Sequence, residues 1–267
     1  MTRNLAELSG PAAGAALARD SVVVVPTGAI EHHGPHLPLS TDLIVADAVA
    51  RSAVERAHAR GVDVWHLPAL AYTKSDEHHW APGTVWLSWE TMMATVVDIG
   101  RSVAATPCRR LAFFNGHGGN SALLQVASRE LRRRFGLQTF LLHASMPADQ
   151  GGVSVGDELG MGVHGGAKET SLLLHLRPDL VDMSLAERSV PEHLAEYRYV
   201  GFGKPVSFGW LSDDFGSGGV IGDPTAASSE AGATLFEGAV ESAAAALAEV
   251  AVFRPNIRDD ASVPLPG

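Results

Sequence analysis

A stretch near the N-terminus concentrates side chains that bind metal ions. Residues 27–42 read TGAIEHHGPHLPLSTD and hold one glutamate, three histidines and one aspartate. Glu31 and His33 are two residues apart, so in an extended segment their side chains point to the same side. With Asp42, which follows a proline-stiffened loop, they offer ligands that can hold one divalent ion or share two. The spacing predicts a metal site, and a solvated turn is the plainer alternative.

The other two histidines of this stretch are expected to play different parts. His32 alternates to the side opposite its neighbours, so we expect it at the surface or behind the ligands. His36 follows the turn and is expected to hydrogen-bond a ligand carboxylate, which would orient that ligand.

Two later segments can complete such a site. His117 lies in FFNGHGGN, just beyond an apolar run, between glycines that allow close approach. A phosphate-binding loop is an alternative there, but the spacing fits neither common phosphate fingerprint. His164 and Glu169 lie in GVHGGAKETSLLL, with Glu169 in the first turns of a predicted helix. Glu169 can therefore be a ligand, or a carboxylate that stabilises the N-terminus of that helix.

Two loops carry candidates for substrate contact. The segment 75–84, SDEHHWAPGT, contains His78, which could hydrogen-bond a substrate or a ligand, and Trp80, which could form a pocket wall. A packed loop is equally compatible with this segment. The segment FGWLSDDFGSGG is a candidate pocket loop or a structured surface loop, and its candidate residues are Trp210, Asp213 and Asp214.

These segments lie in a repeated pattern of strand, loop and helix. The run 21–26, SVVVVP, is short, β-branched and ended by proline, as a buried strand is. Further strands are predicted at 62–72, 109–115 and 137–144, and helices at 40–61, 88–106, 121–136, 167–176 and 228–253. The alternation predicts an α/β fold, a three-layer α/β/α architecture with a mostly parallel central sheet. Ligands in such folds bind at the carboxyl ends of the strands.

Composition and charge limit the classes of function. A net charge of −10 argues against nucleic-acid binding, and the single cysteine, Cys108, excludes an internal disulfide framework. The chain has neither a long apolar run nor a signal-peptide pattern, so we expect a cytoplasmic protein that does not engage a membrane. We expect residues 1–267 to form one domain, with the glycine-rich segment 145–163 as a long surface loop or lid.

Five motifs resemble those of the creatininase family, the creatinine amidohydrolases and their relatives. They are GAIEHHGPHLPLSTD, SDEHHWAPGT, NGHGGN, HGGAKETS and GVIGDPT, and they occur in the family's order over roughly residues 20–250. The resemblance implies a compact α/β fold, a site for two divalent ions (Zn, Mn or Fe) and hydrolysis of a carbon–nitrogen bond, often in a cyclic amide. It also implies a homo-oligomer, often a hexamer.

The resemblance also implies a ligand set. Glu31, Asp42 and His117 would hold one ion, while His33 and Asp42 would hold the second, so that Asp42 bridges the two. Two close ions acidify a bridging water, whose hydroxide can attack an amide carbonyl.

The second ion lacks a carboxylate in this ligand set. Creatinine-hydrolysing members carry a glutamate where this chain has Gly119, so Glu169 is the expected replacement and Glu77 the next candidate. His164 matches a histidine that acts on the substrate, and it is placed to give a proton to the leaving nitrogen.

We therefore expect a metal-dependent amidohydrolase that cleaves a cyclic amide or a formamide-like bond, other than a peptide bond, in a small metabolite. The segment before His164 contains no tryptophan, although creatinine enzymes carry aromatic residues there, which argues against creatinine itself as the substrate. A formamide hydrolase and a peptidase of mycofactocin-type modified-peptide maturation are close variants. A protein that binds metal or sugar phosphate without turnover is the alternative from another class.

Overall fold

The computed structural model describes residues 2–144 and 155–255. Within them, four strands form one sheet in the order β2-β1-β3-β4, and every neighbouring pair is parallel. The strands are β1 (Val22–Thr27), β2 (Val64–His66), β3 (Arg110–Asn115) and β4 (Gln138–His143). The prediction of a parallel sheet in an α/β fold is confirmed.

The strand predicted at 62–72 is much shorter in the structure. Regular pairing ends at His66, because Pro68 has no N–H to donate to the ladder. The chain nevertheless stays beside β1, since the amide of Leu70 donates to the carbonyl of Pro26 at 2.9 Å. The following loop is thereby delivered to the same edge of the sheet as the end of β1.

Helices cover both faces of the sheet. They are α1 (Gly10–Ala16), α2 (Thr41–Ala59), α3 (Trp89–Ala104), α4 (Ser121–Phe135), α5 (Ala167–Leu176) and α6 (Ser229–Val252). All except α1 follow the predicted helices within a few residues. The sequence pattern does not predict α1, because GPAAGAA is short and has no apolar periodicity. Serine side chains cap two of these helices, since Ser88 accepts from the amide of Thr91 before α3 and Ser228 accepts from that of Ala231 before α6.

The alternation of side chains along the strands creates two cores. Val22 and Val24 of β1 face one way and pack in a cluster with α2, α5 and α6. Val23 and Val25 face the other way and pack in a cluster with α3 and α4. This arrangement confirms the three predicted layers, with the sheet buried between two helical layers.

The chain beyond α5 is irregular, with short 3-10 turns between residues 178 and 226. Residues 145–154 of the predicted lid lie outside the described residues, whereas 155–163 lead directly to His164. No helix in the described ranges combines the length and the apolarity that crossing a membrane requires.

Candidate metal centre

Close contacts at the ends of two strands position Asp42. Gly28, just after β1, packs so tightly on the start of α2 that an added Cβ would overlap the backbone of Leu43. Gly116, just after β3, is equally tight, since a Cβ there would lie 2.8 Å from the Cβ of Ala46. The first turn of α2 therefore packs directly against the ends of β1 and β3, and Asp42 lies between the loops that follow these two strands.

Asp42 joins two imidazoles in the buried cluster. Its Oδ2 lies 2.9 Å from His117 Nδ1, and its Oδ1 lies 3.0 Å from His33 Nε2. Glu31 Oε1 lies 3.2 Å from the same nitrogen of His117, while Glu169 Oε2 lies 4.0 Å from His33 Nε2. The structure thus brings together all five residues that the sequence analysis proposed as ligands.

His164 lies between these residues and the neighbouring loop. Backbone hydrogen bonds in both directions with Ile221 hold it in place, and Ile221 belongs to the GVIGDPT motif. Its ring centroid is 4.2 Å from that of His33 and 4.0 Å from that of His78, on which it stacks. Its Nδ1 lies 3.7 Å from Glu31 Oε1. His164 therefore faces the same carboxylate oxygen as the predicted ligands do.

The chemistry of the cluster fits divalent ions. Glu31 Oε1 is buried and has no hydrogen-bond partner among the described residues, although Ser75 Oγ donates to the other oxygen at 2.5 Å. A buried carboxylate oxygen without a partner is costly, and a bound cation satisfies it. Mixed carboxylate and imidazole donors suit Zn, Mn or Fe. Three groups have donor atoms mutually within 4.8 Å: Glu31, Asp42 and His117; His33, His164 and Glu169; Glu31, His78 and His164.

The electrostatics of the cluster favour positive charge. Burial alone would lower the pKa of His33, but the charge of Asp42 and the hydrogen bond to it raise that pKa to about 10. Burial likewise opposes protonation of His117, and the charge of Glu31 nevertheless raises its pKa well above the usual value. Although burial opposes the shift, the charge of His33 lowers the pKa of Asp42. The carboxylates therefore stabilise cations strongly, as a metal site must.

Two further histidines, His164 and His78, lie against this cluster. Burial, with the charge of His33, lowers the pKa of His164 well below its usual value. His164 Nε2 donates to the carbonyl of His32 at 2.6 Å, so in the neutral ring Nδ1 is the unprotonated nitrogen. Burial and the charge of His33 lower the pKa of His78 to about 3.

Glu169 lies at the start of α5, and its carboxylate is the most exposed of the proposed ligands. Its Oε2 accepts a hydrogen bond from the amide of Gly165 at 2.6 Å, and 30% of its side chain is exposed. Burial raises its pKa to about 7, against the opposing charge of His33. Glu169 can therefore both stabilise the N-terminus of α5 and act as a metal ligand, because Oε2 accepts from the amide of Gly165 and also approaches His33.

Two predicted contacts are corrected by the structure. His36 does not reach a carboxylate of the cluster, since its Nε2 pairs with Thr170 Oγ1 at 3.0 Å, next to Glu169 in the chain. It therefore supports α5. Trp80 does not line the cavity beside the cluster, because its Nε1 donates to Ser212 Oγ at 2.8 Å and ties two loops together.

A cavity of about 500 Å³ opens onto the cluster. Its lining includes Glu31, Asp42, Lys74, Glu77, His78, His117, His164, Glu169, Phe208 and Trp210. Trp210 and His78 thus lie where a substrate would contact them. Asp213 and Asp214, predicted to line the pocket, are instead exposed, and Asp214 accepts from the amide of Leu211 in its own loop. That turn points its acidic side chains to solvent, which corrects the prediction.

Sequence reasoning missed two contacts of the loop after β2. Ser75 donates to Glu31, and the carbonyl of Lys74 accepts from His117 Nε2 at 2.8 Å. The alternation of strands and helices could have indicated that these loops are close, because the loops after neighbouring parallel strands meet at one edge of the sheet. It does not indicate which atoms of the two loops are in contact.

Known proteins are similar to this chain in sequence. Residues 6–247 match the family profile described as Creatininase: Creatinine amidohydrolase. The chain is 35% identical over 224 residues to a protein of Mycobacterium ulcerans (strain Agy99) named Mycofactocin precursor peptide peptidase, which covers 80% of this chain and 79% of that protein. It is 36% identical over 183 residues to the Creatinine amidohydrolase of Pseudomonas putida, which covers 62% of this chain and 68% of that protein.

Solved structures agree with this similarity. The structure called Creatininase Mn superposes with a TM-score of 0.72 at 29% identity, over 93% of this chain and 98% of its own. A mutant creatininase of Zn–Zn type gives the same TM-score of 0.72 at 30% identity, over 93% and 98% of the two chains. The fold is therefore shared with these two proteins over 93% of this chain, at 29–30% sequence identity.

Proposed function

The chain belongs to the creatininase family, and we propose that it is a metal-dependent hydrolase that cleaves an amide bond in a modified precursor peptide. The observation that carries the proposal is the buried carboxylate–imidazole cluster at the floor of the cavity. Asp42 joins its two halves, with one oxygen toward His117 and the other toward His33. The choice of a peptide is supported by the relatives named Mycofactocin precursor peptide peptidase, at 35% and 36% identity.

In this proposal the cluster would hold two divalent ions. Glu31, Asp42 and His117 would hold one, and His33, Asp42 and Glu169 would hold the other. When bound, such ions polarise an amide carbonyl and lower the pKa of a water toward neutrality. Glu31 Oε1, which is buried and accepts no hydrogen bond from the described residues, supports this assignment, since a cation satisfies it.

His164 moves the proton. Its Nε2–H is committed to the carbonyl of His32, so only Nδ1 can exchange a proton with the reactants. Since Nδ1 is the unprotonated nitrogen of this tautomer, it would first accept a proton from the attacking water and then return it to the leaving nitrogen. From the sequence, only the second of these transfers is expected.

The rest of the cavity holds the substrate and keeps His164 in place. His78 stacks on His164 at 4.0 Å between centroids and limits rotation of that ring. Phe208 and Trp210 form an aromatic wall above the cluster. A volume of about 500 Å³ lies in the range of about 300–1,000 Å³ that takes ligands larger than one small ring. An apolar side chain next to the scissile amide fits this wall.

Hydrolysis of a small cyclic amide is the second candidate function. It is favoured by the 36% identity to the Creatinine amidohydrolase of Pseudomonas putida. The aromatic wall would then contact the ring of the substrate.

A substrate comparison tests the proposal. The zinc- or manganese-loaded protein is incubated with a modified mycofactocin-type precursor peptide and, in parallel, with a panel of cyclic amides and formamides. We expect mass spectrometry to find water added across one amide of the peptide, with no product after chelation. Turnover of cyclic amides alone would establish the second candidate. Metal binding without any turnover would mean a binding protein.

A further inference from the structure

We propose that Glu77 orients His117 through the outer nitrogen of its ring, and that Gly119 is a glycine because the carboxylate of Glu77 needs its space. The proposal deepens the proposed function, since it takes His117 as a metal ligand. It makes Glu77 a positioning residue and removes it from the candidates for a direct ligand.

The two nitrogens of His117 have different partners. Nδ1 faces the cluster, 2.9 Å from Asp42 Oδ2 and 3.2 Å from Glu31 Oε1. Nε2 faces away, 2.8 Å from the carbonyl of Lys74 and 3.3 Å from Glu77 Oε1. A histidine that binds metal through one nitrogen must carry its proton on the other, and acceptors there fix both tautomer and ring orientation.

Glu77 is held in place as an anion. Its Oε2 accepts a hydrogen bond from Lys74 Nζ at 3.0 Å, and only 11% of its side chain is exposed. An acceptor fixed beside Nε2 keeps the proton on that nitrogen, which leaves Nδ1 unprotonated and able to bind a cation.

Gly119 provides the room for this carboxylate. A Cβ added at Gly119 would overlap Glu77 Oε1 and would lie 2.5 Å from His117 Nε2. A Cβ added at the neighbouring Gly118 would meet nothing within 4 Å. Neither glycine has a positive φ, so the difference between them is one of space and not of backbone conformation. Gly118→Ala is therefore a matched control for Gly119→Ala.

The test measures zinc affinity in the full chain by competition with a chromogenic chelator. We expect Glu77→Ala and Gly119→Ala each to weaken one of the two zinc equivalents by about 10–100-fold, the range for loss of such an orienting partner. Gly118→Ala should bind zinc as the parent does. Glu77→Gln should recover most of the affinity, because its amide oxygen can still accept from Nε2–H.

A double variant tests the coupling. In the Glu77→Ala background, Gly119→Ala should cost less affinity than it does in the parent, since the carboxylate that it displaces is already absent and only the contact with His117 Nε2 remains. Parental affinity in Glu77→Ala, a full second loss in the double variant, or Glu77→Gln as weak as Glu77→Ala would each overturn the proposal. If Gly119→Ala does not fold, Glu77→Ala and Glu77→Gln still decide it. The assay needs no substrate, so an inactive protein with the expected zinc affinities would refute only the proposed function.

Discussion

The floor and the aromatic wall of the cavity are built in different ways. The floor comprises Glu31, Asp42 and His117, with His33 in contact with Asp42, and all four are buried near the ends of parallel strands. The wall belongs to an irregular segment in which aromatic rings pack on one another. The centroids of the contacting rings are 5.4–6.4 Å apart, and these rings belong to Phe202, Phe208, Trp210 and Phe215. The strands and helices hold the proposed ligand side chains within hydrogen-bonding distance of one another, whereas a loop determines the shape of the cavity above them. Changes in the floor should therefore abolish the reaction, and changes in the wall should alter only which substrates bind.

Asp42→Asn should have the largest effect, with loss of both ions and of all activity. Asp42 is the only proposed ligand whose two oxygens face both imidazoles, and a neutral amide cannot carry the bridging charge. Elemental analysis of the purified variant should find no bound metal. Two retained equivalents per chain would disprove the bridging role.

Glu169→Gln should cost one ion and spare the other. Glu169 approaches only the half of the cluster that contains His33, and its carboxylate is more exposed than the rest of the floor. We expect one equivalent of metal in the variant, with the zinc affinity of the other site unchanged. Full metal content at a near-parental rate would show that Glu169 only caps α5.

His164→Ala should keep both ions and lower kcat by about 10²–10⁴-fold, the range for loss of a general acid or base. The loss should shrink for substrates whose leaving amine is more acidic, because these need less proton donation. His79→Ala is a suitable control, since His79 is exposed and lies one residue from His78. A fall in metal content would make His164 a ligand, consistent with its position in two candidate groups.

Trp210→Ala should have the smallest effect of the series, because it changes the wall and not the floor. We expect KM to rise roughly tenfold with kcat and metal content unchanged, as for about 1.5 kcal/mol of lost apolar contact. Asp213→Asn, in the same loop but exposed, should leave both constants unchanged. A large fall in kcat for Trp210→Ala would show that the aromatic wall takes part in catalysis and not only in substrate binding.

The same contrast explains what the sequence could predict. The residues of the floor follow a local sequence pattern: a β-branched strand, then Glu31 and His33 two residues apart, then a helix whose first turn carries Asp42. Parallel strands bring their carboxyl ends together whatever the side chains, so His117 could be added from its position after a strand.

The wall and the supporting contacts have no such pattern. The directions of Asp213, Asp214 and Trp80 depend on how irregular loops pack, which neither periodicity nor capping signals encode. His36 could be placed near the site but not assigned to Thr170, a residue 134 positions away. The contact between Glu77 and His117 similarly joins two loops that only the assembled sheet brings together.

The central claim, a two-metal centre that performs hydrolysis, is tested most directly by titration of the metal-free protein. Zinc or manganese is added in steps while hydrolysis of the modified precursor peptide is followed. We predict no hydrolysis without metal and a rate that reaches its maximum only when two equivalents per chain are bound. Hydrolysis by the metal-free protein, or a maximal rate at one equivalent, would contradict the claim.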